Sequence, residues 1–161
     1  MRIKSVILAL SITLILTGCQ SGSASSEVVS NGVHVSGTLN AAPVITFDSN
    51  TSAPTSLVIK DIVVGNGAQA APTSTVTTHY IGYGMNTKQK FDSSWDRGQP
   101  VSFGLNQVIP GWTQGIPGMK VGGRRLLIIP GDLAYGAYPP PGGIIQPNEA
   151  LVFVVDLTAV Q

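Results

Sequence analysis

The sequence predicts an α+β domain in which a single short helix packs on an antiparallel β-sheet. Three observations carry this. Glycine occurs 19 times and proline 11 times in 161 residues, a density of turns that suits strands better than a helix bundle. Between those turns, β-branched and aromatic residues fall into short runs with strand-like alternation. Only residues 110–116 offer apolar residues at helical spacing.

The elements follow in order. Leu57 to Val64 is β-branched and ends at Gly65-Asn66-Gly67, a strand and then a turn. Pro72 to Tyr83 is rich in Thr and Tyr and reads as the next strand, and Gln89 to Asp92 returns as the arm of a hairpin. Pro100 to Leu105 alternates, with Val101, Phe103 and Leu105 on one face, where Phe103 and Leu105 read as core. Pro110 suits a first helical turn, Trp112 and Ile116 share a face, and Pro117 ends the segment. Gly111 and Gly115 weaken that helix on propensity alone. Val121 to Pro130 begins with Arg124-Arg125 and turns apolar. Ala150 to Val160 has Leu151, Phe153, Val155 and Leu157 on one face and Val152 and Val154 on the other, the pattern of a central strand. Gly82-Tyr83-Gly84 reads as a turn or bulge, because a phosphate loop would need a lysine-serine ending and a long helix.

Composition narrows the function. Charged residues are 11% of the chain and its formal net charge is +1. Without Arg2 and Lys4 of the leader the balance is close to neutral and slightly acidic, so a nucleic-acid partner is not expected. Before Tyr80 the only aromatic residue is Phe47, which puts the packed core in the last two-thirds of the chain. The one cysteine, Cys19, allows no internal disulfide.

The start of the chain reads as an export signal. Met1-Arg2-Ile3-Lys4 is basic, Ser5 to Leu16 is an uncharged apolar stretch, and small residues precede Cys19. The apolar stretch is short for a spanning helix, which needs about 20 residues. Leu16-Thr17-Gly18-Cys19 resembles the bacterial lipobox. That resemblance implies cleavage before Cys19, diacylglycerol and often palmitate on that residue, and stable anchoring, since one acyl chain alone binds membranes only marginally. Residues 1–18 are then the signal peptide. Residues 19–55 are the lipidated cysteine and a flexible Ser/Thr-rich linker, and residues 56–161 are the folded domain. Within the linker, Val33-His34-Val35 and Val44-Ile45-Thr46-Phe47 alternate weakly, enough for an edge strand or a patch packed on the domain but not for a separate fold. His34 is isolated and is not expected to bind metal.

What remains is a scattered set of apolar and aromatic residues around one carboxylate: Tyr80, Phe91-Asp92-Ser93-Ser94, Val108-Ile109-Pro110-Gly111-Trp112, Ala134-Tyr135-Gly136 and Leu151-Val152-Phe153. If they converge, they make a pocket for a compact apolar ligand. Hydrolytic machinery is missing. His79 has no recognisable nucleophile motif to serve and reads as structural, bonding a neighbouring strand. One cysteine and two distant histidines cannot form a zinc site, and no cofactor is expected. Asp92 and Asp96 would be a carboxylate pair only with further support. Arg97 reads as an ion-pair partner for one of them.

In order and rough spacing, these motifs resemble FKBP-type peptidyl-prolyl isomerases over residues 56–161. The resemblance implies a strongly curved antiparallel sheet wrapped around the short helix. It assigns Asp92, Tyr135 and Phe91 to the catalytic set and Tyr80, Val108, Ile109, Trp112, Ile145 and Phe153 to substrate binding. Trp112 is the base of the pocket, and Ile109 N–H and the Tyr135 hydroxyl meet substrate carbonyls. Asp92 is oriented by Tyr80 and Arg97, and Ile145 lies in a loop overhanging the site. Three features depart from the family pattern. The segment from Leu105 to Val108 is shorter than in typical members. Val101 stands where many members have Phe, and the overhanging loop reads Tyr138-Pro139-Pro140-Pro141-Gly142-Gly143.

The expected activity is rotamase catalysis, the cis-trans isomerisation of X-Pro bonds in exported proteins by a non-covalent mechanism. Expected partners are proline-containing unfolded or exported polypeptides, macrolide inhibitors of the tacrolimus and rapamycin type, and a membrane reached through the lipid on Cys19. A monomer is expected, on the outer membrane or its periplasmic face, or on the extracellular face of the cell membrane where no outer membrane exists. The rival is a chaperone or peptide-binding surface lipoprotein that turns over poorly.

Overall fold

Alternation along the two longest strands organises the molecule. A computed structural model describes residues 27–161, so the leader and Cys19 lie outside the described residues. The strands are β1 (Val28–Ser30), β2 (Val33–Ser36), β3 (Val44–Phe47), β4 (Val58–Val63), β5 (Thr75–Gly84), β6 (Lys90–Ser93), β7 (Val101–Gly104), β8 (Arg124–Ile129) and β9 (Leu151–Val160), with helix α1 (Pro110–Gly115) between β7 and β8. The main sheet runs β4-β8-β9-β5-β6 and is antiparallel throughout. The free edge of β5 is shared. Its first half pairs with β7 and its second half with β6. Strand β9 is central, as its two apolar faces require.

The pleat sends Tyr80, Leu127, Leu151, Phe153 and Val155 to one face, where they pack with Trp112 and Ile116 of the helical segment. It sends Ile81, Leu126, Ile128, Val152 and Val154 to the other. Register shifts in the β4–β8, β5–β6 and β5–β9 ladders add unpaired residues at Ile62, Phe91 and Thr158. Bulges of this kind bend a sheet and raise its twist. The β5–β6 bulge falls between Gly82 and Tyr83, the stretch the sequence marks as a turn or bulge.

Helix α1 forms despite its glycines because contact with β8 requires them. A Cβ on Gly111 would lie 2.4 Å from the Ile129 side chain, and one on Gly115 would lie 2.8 Å from Leu127. Tertiary packing therefore overrides propensity here. Arg125 holds the far end. Its Nη1 donates to the carbonyls of Gly115 (2.7 Å) and Pro117 (3.3 Å), while Nε meets Asp61 Oδ1 at 2.6 Å. Those carbonyls have no partner inside the helix, so a cation there is stabilising.

The spacer expected over residues 19–55 is corrected between Val28 and Phe47. Strands β1-β2-β3 form their own antiparallel sheet. Its inner residues Val33, Val35 and Ile45 are buried against the second face of the main sheet. The physical reason is that this face is apolar and would otherwise stand in water. Two polar ties fix the arrangement. Arg124 makes a bidentate pair with Asp156 (2.5 and 2.7 Å) and donates to Ala41 O at 2.7 Å. Lys88 Nζ donates to Asp48 O at 2.8 Å. Among the described residues, no helix is long and apolar enough to cross a membrane.

If the small sheet is part of the core, Ile45→Ala costs about 2 kcal/mol or more, as buried isoleucine truncations do. Urea denaturation reads this as a lower midpoint at unchanged slope. A loosely attached tether would leave the midpoint where it is.

Candidate active site

The pocket lies on the helix face of the main sheet, and each of its walls comes from a different element. Strand β5 brings Tyr80, the bulged β6 brings Phe91 and Asp92, and β7 brings Phe103. The turn before α1 brings Gln107, Val108 and Ile109, α1 brings Trp112, the segment after β8 brings Tyr135, and β9 brings Phe153. Together they line a cavity of about 280 Å³. The aromatic rings meet edge to face, the arrangement their quadrupoles favour. Trp112 stands at 88° to Tyr80, 83° to Phe153 and 75° to Phe103, with centroids 5.4–5.5 Å apart. Phe91 meets Phe153 at 5.5 Å and 86°.

Gly82 makes room for this packing. A Cβ there would lie 2.5 Å from Phe91 and 2.9 Å from Phe153. The glycine leaves a gap in the pocket face of β5, and two rings fill it.

One carboxylate faces the cavity and is held on several sides. Tyr80 OH donates to Asp92 Oδ2, in a very short contact. Arg97 Nη1 donates to Oδ1 at 2.5 Å and Ser93 N–H to the same oxygen at 2.8 Å. Arg97 Nη2 closes the triangle on the Tyr80 hydroxyl at 2.8 Å. Burial works to raise the Asp92 pKa, but the bonds from Tyr80 and Arg97, the Arg97 charge and the Ser93 N–H outweigh it and hold the group below its ordinary value. Burial, with Asp92 as neighbour, pushes Tyr80 up to about 12, so it stays a donor. Burial, then the charge of Asp92, also raises Tyr135. Asp92 is thus an ionised, immobilised acceptor and a poor candidate for taking up protons at neutral pH.

Most residues the sequence nominates converge here. Tyr80, Phe91, Asp92, Val108, Ile109, Trp112, Tyr135 and Phe153 all line the cavity. Arg97 sits outside it, behind Asp92. Ile145 packs against the same core cluster without lining the cavity. Val101 also packs on that cluster, while Phe103 in the same strand supplies the wall. Phe103 is therefore a pocket residue as well as a core one. Its alternation with Val101 and Leu105 already puts it on the correct face. Gln107 carries no sequence signal, since its place depends on how the chain enters α1.

His79 and Asp96 have partners away from the cavity. His79 stacks on Trp95 (3.9 Å, 14°) and bonds Ser94 Oγ at 3.0 Å, which in turn accepts from Tyr80 N–H at 2.7 Å. Asp96 is bound to Lys90 at 2.6 Å and does not line the cavity, so it forms no working pair with Asp92. No group of three potential metal ligands occurs among the described residues.

Residues 66–158 match the sequence profile of FKBP-type peptidyl-prolyl cis-trans isomerases. An FK506-binding protein of Streptomyces anulatus is 54% identical over 109 residues, covering 66% of this chain and 88% of that protein. The crystal structure of FkpA from Escherichia coli superposes with a TM-score of 0.61 at 41% identity, over 71% of this chain and 53% of FkpA. A peptidyl-prolyl cis-trans isomerase from Pseudomonas syringae superposes with a TM-score of 0.59 at 33% identity, over 65% of this chain and 75% of its own. This chain thus spans about half of the FkpA crystal structure.

Two outcomes test the geometry. In an NMR titration the Asp92 carboxyl should titrate below its ordinary 3.8. Arg97→Ala should move it upward, because burial then meets weaker opposition. The stability tied to this depressed pKa is fully present above the ordinary value and is lost as pH falls through the folded one. A wild-type value at or above the ordinary one contradicts the arrangement. Gly82→Ala should cost about 1–3 kcal/mol through overpacking, seen as a lower melting temperature together with disturbed ring resonances of Phe91 and Phe153.

Proposed function

The chain belongs to the FKBP-type peptidyl-prolyl cis-trans isomerase family, and from that premise we propose that it accelerates X-Pro rotation in exported polypeptides while anchored to a bacterial membrane through a lipid on Cys19. One observation carries the catalytic reading: among the described residues the aromatic pocket is lined by a single carboxylate, and that carboxylate is already committed to Tyr80, Arg97 and Ser93.

Rotation of a peptide bond is opposed by about 18–20 kcal/mol of barrier, which comes from amide resonance. For X-Pro the two planar states are close in energy, yet spontaneous exchange takes roughly tens to hundreds of seconds. No bond breaks, so no nucleophile is needed. The twisted amide has lost resonance and carries less charge on oxygen, which suits a dry aromatic cavity better than the planar form does. Binding the twisted state more tightly than either planar state is what accelerates the reaction. In this reading Trp112, Tyr80, Phe91 and Phe153 seat the proline ring, with Val108 as rim. Ile109 N–H and the Tyr135 hydroxyl donate to substrate carbonyls and hold the chain at either side of the twisting bond. Asp92, fixed by Tyr80 and Arg97, acts through its field and by orienting its neighbours. Ile145 contributes from the loop above.

The same cavity chemistry would accept a macrolide of the tacrolimus or rapamycin type, a compact apolar body with carbonyl acceptors. The anchor reading rests on Leu16-Thr17-Gly18-Cys19 and the apolar stretch before it. The rival reading is a peptide-binding chaperone of low turnover. Tyr138, 92% exposed, and Ile144 give the loop apolar surface able to hold a chain without rotating it.

A protease-coupled assay on Ala-X-Pro-Phe peptides separates the two. Catalysis well above the spontaneous rate is expected, and Asp92→Asn should lower kcat/KM about tenfold without abolishing it, equal to about 1.4 kcal/mol of transition-state stabilisation. Peptide binding with only the spontaneous rate would leave the chaperone reading. For the anchor, labelled palmitate should enter the wild type and be absent from Cys19→Ser. Label retained in that variant would refute lipidation at Cys19.

A further inference from the structure

One buried carboxylate has no part in the pocket chemistry yet ties the β5–β6 turn to the loop that carries Ile145. Glu149 is 1% exposed. Its Oε1 accepts from Thr87 N–H (2.8 Å), Asn86 N–H (3.1 Å) and Thr87 Oγ1 (2.9 Å), and its Oε2 accepts from Gln146 N–H at 2.8 Å. Space is reserved for it. A Cβ on Gly84 would lie 2.4 Å from Oε1 and 2.8 Å from the carboxyl carbon. Buried carboxylates persist only where donors replace the water they have lost, and here backbone and hydroxyl donors do so.

The two sides of this clamp have different duties. Asn86 and Thr87 belong to the turn that joins β5, with Tyr80, to β6, with Phe91 and Asp92. Gln146 follows Ile145 in the loop between Tyr135 and β9, and Ile145 packs on the pocket's core cluster. The root of that loop is closed separately by Asn148 N–H on Gly136 O at 2.7 Å. Without the Glu149 side chain the root remains tied and Glu149 N–H still holds Gln146 O at 3.1 Å, but the Gln146 N–H beside Ile145 loses its direct link to the Asn86-Thr87 turn.

We propose that Glu149 is a positioning residue for the isomerisation. It locks the Ile145 loop to the Asn86-Thr87 turn and so sets how closely the loop covers a bound peptide, which governs substrate affinity more than the rotation step. The proposal rests on the pocket reading above.

The test uses the folded protein with Glu149→Gln, Glu149→Ala and the milder Thr87→Val, which removes only the hydroxyl donor. In Glu149→Gln the amide oxygen still serves the turn, while the amide NH2 faces Gln146 N–H and cannot accept from it. Hydrogen exchange at Gln146 should speed up about tenfold or more, the scale of one lost charge-assisted bond, with Asn86 and Thr87 little changed. KM for a prolyl peptide, and its Kd by titration, should rise about fivefold while kcat stays within about twofold, the pattern of lost binding held equally in ground and transition states. Glu149→Ala should release all three amides and raise KM further, and Thr87→Val should shift KM slightly in the same direction. Folded Glu149→Gln with wild-type KM and Kd overturns the proposal, as does exchange raised evenly across the sheet with kcat falling instead. A wild type that fails to isomerise sinks the functional reading alone, because exchange and Kd still judge the clamp.

Discussion

The pairing of β5 with β9, from Val76↔Val160 to Gly84↔Leu151, is the constraint on which the rest of the molecule depends. It joins the two longest strands and fixes which residues face the helix and which face the small sheet. Tyr80, Gly82 and Phe153 reach the pocket only in this register. Ile81, Val152 and Val154 meet Val33, Val35 and Ile45 only in this register too. A slip of one residue would exchange the two faces, which would remove the pocket and expose the surface the small sheet covers. Strand β5 also spends its outer edge on two partners, so β6 and β7 are set by the same register.

On that frame the pocket is shaped as much by missing side chains as by present ones. Gly82 leaves space for Phe91 and Phe153, Gly111 and Gly115 let α1 lie against β8, and Gly84 leaves space for the Glu149 carboxylate. The electrostatics follow the same economy. Asp92 is kept ionised by Tyr80 and Arg97 despite its burial. Its proposed role is consequently a fixed field beside the reacting bond, and the site needs no group poised to exchange protons. Amide rotation requires none.

Much of this was legible in the sequence, and the limits are physical. Alternation locates β7 and β9, because the two-residue period survives wherever one face is buried, while β-branched, Thr-rich or apolar runs bounded by turns locate β4, β5, β6 and β8. The pocket aromatics were legible as a set, although none of them is diagnostic alone. Helix α1 was marked by Pro110 and Pro117 but doubtful on its glycines, since propensity carries no knowledge of the strand lying 2–3 Å from a would-be Cβ. For the small sheet the sequence offers only weakly alternating patches in a Ser- and Thr-rich spacer, enough for an edge strand or a packed patch, because strands of three or four residues show little period. Their stability comes from the face they cover. Phe103 reads as core alone in the sequence because a pocket wall and a core face share one periodicity. Gln107 and Glu149 depend on how distant loops meet, which spacing along the chain does not encode. The proposed anchor at Cys19 rests on sequence.

The central claim is that an apolar cavity supplies most of the catalysis and its polar groups refine it. Two-dimensional exchange NMR on an unmodified prolyl peptide, with the double variant Asp92→Asn/Tyr135→Phe, tests this most directly. The account predicts cis-trans exchange still clearly faster than the spontaneous roughly tens-to-hundreds-of-seconds process, with the peptide recovered intact. Exchange at the spontaneous rate while the peptide remains bound in the cavity would contradict it.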